Sequence, residues 1–343
     1  MKILVEIHHG LGDVVQMIPL FQRLREAYMD AEIAAIVATK EHAQILKLTG
    51  LVNDFFYLNM RKMSIGDYIK FIRSIRNIRF ELGIIAPMTS ERAGNLLMHL
   101  LGCKRILAPI KNEEFYSSNS VMQGLNILKQ ININSEMISP QMFCTKELEE
   151  KAKTLLDKEV LNCNRNIGVC VGTGLVKRKR GRHIESVNAK CILPKVSMEL
   201  VNALTQQDYN VFLLGGAEEK FKFEQYKSDF NDKVYSFLGG TSIFESIALL
   251  NKCQLVIGGD TGLIHIADAI GVDTLVYYAA SSPKVGPFSG KTNKVTAGLK
   301  CQYCYGSSRL FECEERKCLN YVTSDLLISE VEKIMYKNSR GKV

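Results

Sequence analysis

The sequence predicts an α/β protein with two doubly wound domains. Three observations lead to this prediction: the chain has 343 residues, apolar strand patterns alternate with amphipathic helix patterns, and the alternation falters in the middle and then restarts. Most single domains are shorter, and alternating strands and helices are typical of a parallel sheet covered by helices. We therefore expect two such domains, joined near residue 160.

The first half begins with a buried strand over residues 2–8, which a Gly-Leu-Gly turn at 10–12 brings to an end. A helix is expected over 13–26, with a bend or restart at Pro19, because proline cannot complete the hydrogen bonds of a helix interior. The other elements expected here are a strand over 33–38, a helix over 41–48, a helix opened by the capping box of Ser64 and Asp67, and a strand over 82–85.

The pattern weakens over residues 109–165, apart from a charged helix at 147–156, and becomes clear again afterwards. The second half is predicted to contain strands at 167–171, 210–214, 254–257 and 274–278, helices at 197–204, 242–250 and 262–270, and a C-terminal helix from 323 or 324. Leu327, Val331 and Ile334 share one face of that last helix, so we expect this face to pack on a core.

Composition and charge restrict the functions to be considered. Hydrophobic residues make up 46% of the chain, but no apolar run reaches the about 18 residues of a membrane span, and no signal-peptide pattern opens the sequence. We expect a cytoplasmic protein whose ten cysteines are reduced thiols or metal ligands. The net charge of +8 suits anionic partners, whereas the basic residues lack the interleaved aromatics and recognition modules of nucleic-acid binders.

A glycine-rich turn near residue 260 has the clearest chemistry. Gly258, Gly259 and Gly262 surround Asp260 and Thr261, between a predicted strand and a predicted helix. The first N–H groups of a helix have no partner within it and favour anions, so we expect the amides of Thr261 and Gly262 to face a phosphate. Asp260 would contact sugar hydroxyls, or it would only cap the helix.

His265 follows three residues after Gly262, on the same face of the predicted helix. From that position the imidazole could reach a phosphate or the sugar. The alternative is that it only packs.

These motifs together resemble glycosyltransferase family nine, the ADP-heptose:lipopolysaccharide heptosyltransferases. The resemblance rests on GGDTGLIHIADAIGVDTLVYY at 258–278, on the Gly-Pro-Phe at 286–288, on ILVEIHHGLGDVVQMIPLFQRLRE at 3–26, and on the paired cysteines of the tail. It covers both halves and the tail and is weak in the middle. The resemblance implies a GT-B fold, in which two Rossmann-like domains face each other across a cleft. It also implies that transfer inverts the anomeric centre and needs no catalytic metal.

The resemblance implies Asp13, in the first glycine turn, as the general base. A carboxylate at the cleft can take the proton of the acceptor hydroxyl as that hydroxyl attacks the sugar. The alternative is that Asp13 only satisfies the helix dipole from the first turn. Gly10 and Gly12 would also fit a dinucleotide fingerprint, but Val15 stands where its third glycine belongs, which argues against NAD or FAD.

Further donor contacts follow from the resemblance. Thr173 matches a hydroxyl that faces the phosphates, and Glu219 matches an acidic contact to the ribose. Lys190, or else Lys195, would neutralise the diphosphate. The segment around Lys190 departs from the family because it lacks a Trp and is one residue longer.

On the acceptor side, Arg61 and Lys62 resemble basic residues that family members use for anionic groups of the acceptor, and Arg92 would join them. Simple surface solvation is the alternative for all three. A basic run at 177–183 departs from the usual short link of the family. It is either a solvated loop or a surface for the acceptor or a membrane.

Cys301, Cys304, Cys313 and Cys318 form two close pairs near the C-terminus. Such pairs are typical of tetrahedral zinc or iron sites with thiolate ligands, and reduced packing thiols are the alternative. A metal here would brace the tail and take no part in the transfer.

We therefore predict an inverting glycosyltransferase that moves a heptose or similar sugar from an ADP-sugar to an anionic glycan, glycolipid or protein, in peripheral contact with the inner membrane face. The predicted domains are 1–160 for the acceptor, 161–322 for the nucleotide sugar, and 323–343 for a helix that crosses back. The alternatives are a protein O-heptosyltransferase, a nucleotide-sugar epimerase or hydrolase of the same fold, and a non-catalytic nucleotide-sugar-binding protein.

Overall fold

A computed structural model describes residues 1–59, 63–172, 175–180 and 183–340. The chain divides into two compact units. The first unit contains residues 1–143 and 284–288, and the second contains 144–283 and 289–343. Each unit holds one parallel sheet with helices around it, which confirms the predicted fold class. The assignment of acceptor and donor roles to these units stays a prediction.

The first sheet has five parallel strands in the order β3-β2-β1-β4-β5. They are β1 (Lys2–Ile7), β2 (Glu32–Val37), β3 (Asp54–Tyr57), β4 (Leu82–Ile85) and β5 (Arg105–Leu107). The central strand β1 is buried from Ile3 to Ile7, as expected for a strand covered on both faces. The turn that follows β1 therefore lies at the carboxyl edge of this sheet, where doubly wound folds bind ligands.

Seven helices belong to the described part of the first unit. They are α1 (Leu11–Gln16), α2 (Ile18–Ala27), α3 (Lys40–Lys47), α4 (Ile65–Arg76), α5 (Glu91–Leu100), α6 (Glu113–Ser117) and α7 (Ser120–Leu125), and a 3-10 helix spans Asn126–Ile131. The predicted restart at Pro19 is confirmed, because α1 ends at Gln16 and Pro19 occupies the first turn of α2. The capping box of Ser64 and Asp67 at α4 is also confirmed.

The second sheet has six parallel strands, and two further strands form an antiparallel hairpin. The strands are β6 (Asn166–Cys170), β7 (Leu175–Arg180), β8 (His183–Asn188), β9 (Asn210–Leu214), β10 (Val234–Ser236), β11 (Leu255–Gly259), β12 (Asp273–Tyr278) and β13 (Thr292–Thr296). The sheet order is β10-β9-β6-β11-β12-β13, and the hairpin pairs β7 with β8. The central strands β6 and β11 end side by side at the carboxyl edge.

The helices of the second unit are α8 (Lys146–Leu155), α9 (Lys158–Leu161), α10 (Pro194–Gln206), α11 (Ala217–Phe223), α12 (Ile243–Leu250), α13 (Gly262–Ala269), α14 (Arg309–Glu312), α15 (Lys317–Asn320) and α16 (Ser324–Arg340). The apolar face predicted for the last helix is confirmed, because Leu327, Val331 and Ile334 are buried. This face joins the core of the second unit, and α16 packs against α10.

The basic run at 177–183, predicted to be either a solvated loop or a surface for the acceptor or a membrane, is not a loop over its described residues. Its described residues belong to β7 and β8. The guanidinium of Arg178 pairs with Glu185 across the hairpin at 2.7 Å and stacks on the ring of Phe311 at 4.2 Å. Arg178 is therefore engaged within the second unit. No helix in the described residues has the length and apolar character that a membrane crossing requires.

Candidate functional site

The glycine run near residue 260 is strand rather than turn at its start. Gly258 and Gly259 complete β11, and the chain turns only at Asp260 and Thr261 before α13 begins at Gly262. The prediction that all of these glycines form the turn was wrong for the first two. Their role is close packing against neighbouring backbone.

Gly259 permits a close backbone approach. A Cβ atom at this position would lie 1.8 Å from the carbonyl oxygen of Lys190, a distance that no folded protein tolerates. The passing segment is shaped by Asn188, whose side-chain oxygen accepts hydrogen bonds from the backbone N–H groups of Lys190 and Cys191. The missing side chain of Gly259 and the turn at Asn188 thus bring Lys190 to the carboxyl end of β11.

Asp260, Lys190 and His265 form one charged cluster there. The ammonium of Lys190 lies 2.9 Å from Oδ2 of Asp260, and Nε2 of His265 lies 3.0 Å from Oδ1. Burial by itself would raise the pKa of Asp260, but the interactions with His265 and with the ammonium of Lys190 outweigh burial and lower the pKa to about 2. Asp260 is therefore an ionised carboxylate at neutral pH.

The predicted donor-binding residues differ from one another in how far their side chains are exposed to solvent. His265 is only 3% exposed and reaches Asp260, so its side chain holds the carboxylate in position. Thr261 occupies the N-cap position of α13, whereas Asp260 does not cap the helix. Lys190 stays partly exposed, and its ammonium also lies 4.3 Å from the ring centre of Tyr305, a contact that the sequence did not suggest.

Two hydroxyl groups at this edge are buried without a hydrogen-bond partner in the described part of the chain: Oγ1 of Thr261 and Oγ of Ser281. Buried polar groups almost always have partners, so these two are candidates for contacts with a ligand. They follow β11 and β12, which are neighbours in the sheet. The first amides of α13 have no partner within the helix, which adds donors for an anion.

Glu219 lies at the start of α11, where its Oε2 accepts a hydrogen bond from the N–H of Gly216 at 2.8 Å. The side chain is buried, and a role in capping α11 is therefore established beside the predicted contact to ribose. Thr173 falls outside the described residues. Lys195, the reserve for Lys190, is exposed on α10 and lies 3.9 Å from Glu199.

Asp13 lies in the first turn of α1, after the end of β1. Its Oδ2 accepts a hydrogen bond from the N–H of Gly10 at 2.9 Å, so the capping role considered for this residue is realised. One carboxylate can cap through one oxygen and still offer the other to a proton. Arg61 and Lys62 fall outside the described residues, and Arg92 is exposed near the start of α5.

Three of the four tail cysteines, Cys304, Cys313 and Cys318, line one small cavity that Arg316 also borders. All four belong to the described residues, and no three of their sulfur atoms lie within 4.8 Å of one another. The thiols are therefore neighbours without being gathered into a tetrahedral set. Backbone hydrogen bonds anchor the segment, including one from Tyr305 N–H to the Ala280 carbonyl.

Comparison with known proteins shows which proteins the chain resembles. Residues 186–314 match the family model described as glycosyltransferase family 9 (heptosyltransferase), a segment that contains Lys190, Asp260 and the first three tail cysteines. Over this segment the chain is similar to glycosyltransferase family 9. It is similar to lipopolysaccharide heptosyltransferase 2 of Salmonella typhimurium, with 23% identity over 84% of this chain and 85% of the relative.

Solved structures of family 9 and similar transferases share the fold. The ADP-heptose LPS heptosyltransferase II of E. coli matches with a TM-score of 0.77 and 18% identity, over 99% of this chain and all of the other. TibC, an iron-containing dodecameric glycosyltransferase of enterotoxigenic E. coli, matches with a TM-score of 0.59 and 10% identity, over 99% of this chain and 79% of TibC. The GT-B prediction is confirmed at the level of the two-domain α/β fold, and the chain is a glycosyltransferase.

Proposed function

We propose that this enzyme transfers a heptose or a similar sugar, with inversion, from an ADP-sugar to a hydroxyl of the lipopolysaccharide core or of another glycoconjugate. The observation that carries the proposal is the cluster of Lys190 and Asp260 at the start of α13, beside the unpartnered hydroxyls of Thr261 and Ser281. The names of the relatives, which include lipopolysaccharide and ADP-heptose transferases, support this donor and this acceptor.

The second unit would hold the donor. The first amides of α13 and the ammonium of Lys190 would face the diphosphate, since both favour an anion. Asp260 is fixed from two sides, by Lys190 and His265, so its remaining acceptor capacity would go to sugar hydroxyls rather than to phosphate. Thr173 and Glu219 are proposed as further contacts, to the phosphates and to the ribose.

The chemical step would be a direct displacement. The acceptor oxygen forms a bond to the anomeric carbon while the bond from that carbon to the ADP oxygen breaks, and Asp13 takes the acceptor proton. ADP leaves with the bonding electron pair, and its developing charge is stabilised by the amides of α13 and by Lys190. This step uses no metal ion.

The first unit would bind the acceptor. Arg61, Lys62 and Arg92 are proposed to contact anionic groups of a glycan, glycolipid or protein acceptor, because guanidinium and ammonium groups pair well with phosphate and carboxylate. A lipid-linked acceptor would bring the enzyme to the cytoplasmic face of the inner membrane.

The substitution Asp13→Asn tests the proposed base. Asn keeps the shape and can still accept the hydrogen bond from Gly10, but it cannot take a proton, so turnover should fall about 10²–10⁴-fold. Donor affinity and unfolding free energy should change by only a few tenths of a kcal/mol. The measurement is ADP release with an acceptor extract, together with calorimetric ADP binding.

Asp67→Asn is the matched control for this experiment. Asp67 occupies the same capping-box position in α4, so the control repeats the chemical change without touching the proposed base. Transfer at the parent rate by Asp13→Asn would exclude Asp13 as the base. Donor turnover without any acceptor would instead favour an epimerase or hydrolase, and an effect in cells that survives Asp13→Asn would favour a non-catalytic binding protein.

We also propose a structural zinc or iron ion at Cys301, Cys304, Cys313 and Cys318. Three of these thiols line one cavity, and TibC, which shares the fold, is iron-containing by name. Elemental analysis of protein purified without chelator should give about one equivalent of metal bound to thiolate, because structural sites of this kind hold their ion tightly. Cys304→Ser should remove that equivalent, and an unchanged metal content would leave the thiols as packing groups.

A further inference from the structure

A second cluster of ligand atoms lies at the end of β1, in the first unit. Glu6 is fully buried, and its Oε1 lies 2.5 Å from Nδ1 of His8 and 3.7 Å from Nε2 of His9. The two imidazole rings are stacked, with centroids 5.0 Å apart and an interplanar angle of 17°. The three atoms all lie within 4.8 Å of one another, and within the described residues no other group of three metal-ligating side chains does so.

The second oxygen of Glu6 is held by the protein. Thr89 donates its hydroxyl hydrogen to Oε2 of Glu6 at 2.6 Å, and the N–H of Ala86 donates to the same oxygen at 3.3 Å. Oε1 is thereby turned toward the two histidines. Outer contacts of this kind orient the carboxylate ligands of metal sites and raise their affinity.

The third observation concerns Nδ1 of His8. This buried atom is paired with Glu6 Oε1 at 2.5 Å, and the backbone N–H of His8 donates a 3.3 Å hydrogen bond to the same oxygen. A cation bound by both atoms would replace their direct contact.

The ligand atoms lie close to, but not at, the spacing that a transition-metal ion requires. Bonds of about 2.0–2.1 Å from Zn²⁺ to nitrogen and oxygen in a tetrahedron place neighbouring ligand atoms about 3.4 Å apart. The observed separations of 2.5 Å and 3.7 Å from Glu6 Oε1 fall on either side of that value. Small side-chain rotations would therefore equalise the ligand spacing, and Nε2 of His9 would exchange its 2.7 Å contact with Thr89 for the metal.

We propose that Glu6, His8 and His9 bind one divalent transition-metal ion of the zinc class, with a fourth position open to water or to a ligand hydroxyl. Two imidazoles and one carboxylate suit zinc, cobalt and nickel better than magnesium or calcium, which prefer oxygen ligands. The ion would fasten the end of β1 beside the turn that carries Asp13. The inference is independent of the proposed sugar transfer, which uses no metal.

Metal titration of the full-length, tag-free protein tests the proposal. The probe is Zn²⁺ added to chelator-treated protein in a calorimeter, with Co²⁺ absorption to separate imidazole–carboxylate ligands from thiolate ligands. The double substitution His8→Asn with His9→Asn should remove one equivalent whose Co²⁺ spectrum lacks thiolate bands. Thr89→Val should leave that equivalent in place but weaken its Kd about 10–100-fold, because it removes only an outer contact.

Two control variants keep the result interpretable. His99→Asn removes an exposed histidine of α5, and Cys304→Ser removes a thiol of the tail, so both should retain the equivalent assigned to Glu6, His8 and His9. Circular dichroism verifies that each variant folds. Equal stoichiometry and Kd in the parent and in the double histidine variant would overturn the proposal, as would a parent protein whose only bound metal shows thiolate ligands.

Discussion

Asp260 shows how one buried carboxylate can organise a site. It is 4% exposed, and its two oxygens face Lys190 and His265. An isolated charge in such a place would be strongly unfavourable, so the two partners are needed for it to remain ionised. The result is a fixed negative group next to a helix N-terminus that favours anions. In the proposed function, this combination would separate contacts to sugar hydroxyls from contacts to phosphate.

The pKa of Asp260 makes its contribution to stability depend on pH. Because the folded-state pKa is lowered to about 2 from an ordinary value of 3.8, ionisation of Asp260 stabilises the fold above about pH 4, and this stabilisation is lost as the pH falls toward 2. The shift corresponds to about 2 kcal/mol. The unfolding free energies of the parent and of Asp260→Asn should therefore converge by about that amount between pH 5 and pH 2, as measured by urea denaturation.

The difference between the two proteins is the informative quantity, because all other carboxylates titrate in both. A difference that stays constant over this pH range would mean that Asp260 titrates alike in the folded and unfolded chains. The ion pair would then contribute nothing to acid stability.

For individual residues, the sequence predicted the segments that contain Lys190 and Asp260 but not every contact that these residues make. Lys190 and Asp260 were both chosen as donor residues, and they do meet, although 70 positions separate them. The contact from Lys190 to Tyr305 and the cluster of Glu6 with its histidines were not predicted. Such contacts depend on which strand ends become neighbours and on how side chains turn there, which local patterns do not encode.

Among the secondary-structure elements, β11 and the segment after β8 determine the site together. The carbonyl of Lys190 passes directly over Gly259, and the N–H of Ala280 donates to the carbonyl of Ala189 at 2.9 Å. The segment is thus fixed against the ends of both β11 and β12. Any side chain at position 259 would push it away from the sheet.

Gly259→Ala tests this packing. The added Cβ would meet backbone at 1.8 Å, so we expect the variant to lose about 1–3 kcal/mol of stability, or more, and to bind ADP less tightly because Lys190 is displaced. Gly290→Ala is the control, since a Cβ there meets nothing within 4 Å, and its stability should change by less than about 0.5 kcal/mol. Denaturation and calorimetry measure both quantities, and equal behaviour of the two variants would refute the close-approach argument.

The central strands and most long helices were predicted well, as was the four-residue strand β4, whereas the ten-residue helix α5 and three other short strands were not predicted. The central strands and the apolar face of α16 follow from runs of apolar residues at regular spacing. Strands β3, β5 and β10 have three or four residues each and were not predicted, because their few residues show no clear alternation of apolar and polar side chains. The hairpin of β7 and β8 was missed because its basic sequence resembles a loop, while its strands pair with each other.

For the whole molecule, the two units should respond differently to the donor. ADP at 100 times its Kd would stabilise the unit that binds it by about 2.7 kcal/mol. We expect hydrogen–deuterium exchange to slow at 188–191 and 259–265 in the second unit, with the amides of 1–143 little affected. UDP and GDP at equal concentration serve as controls for the nucleotide. Protection that is concentrated in 1–143 would place the donor in the first unit and reverse the assignment of roles.

Residues 284–288 belong to the first unit although the chain around them belongs to the second. Gln16 donates a 2.6 Å hydrogen bond to the carbonyl of Val285, and Ser139 donates one to the carbonyl of Phe288 at 3.2 Å. A chimera of residues 1–143 of this protein with the remainder of a related enzyme would keep Gln16 and Ser139. It would replace the segment 284–288, whose carbonyl groups accept their hydrogen bonds, by the segment of the related enzyme. If the first unit binds the acceptor, as proposed, an exchange of acceptor specificity between related enzymes would require both pieces of chain to be inherited together, and evolutionary change in the first unit should be accompanied by change at 284–288.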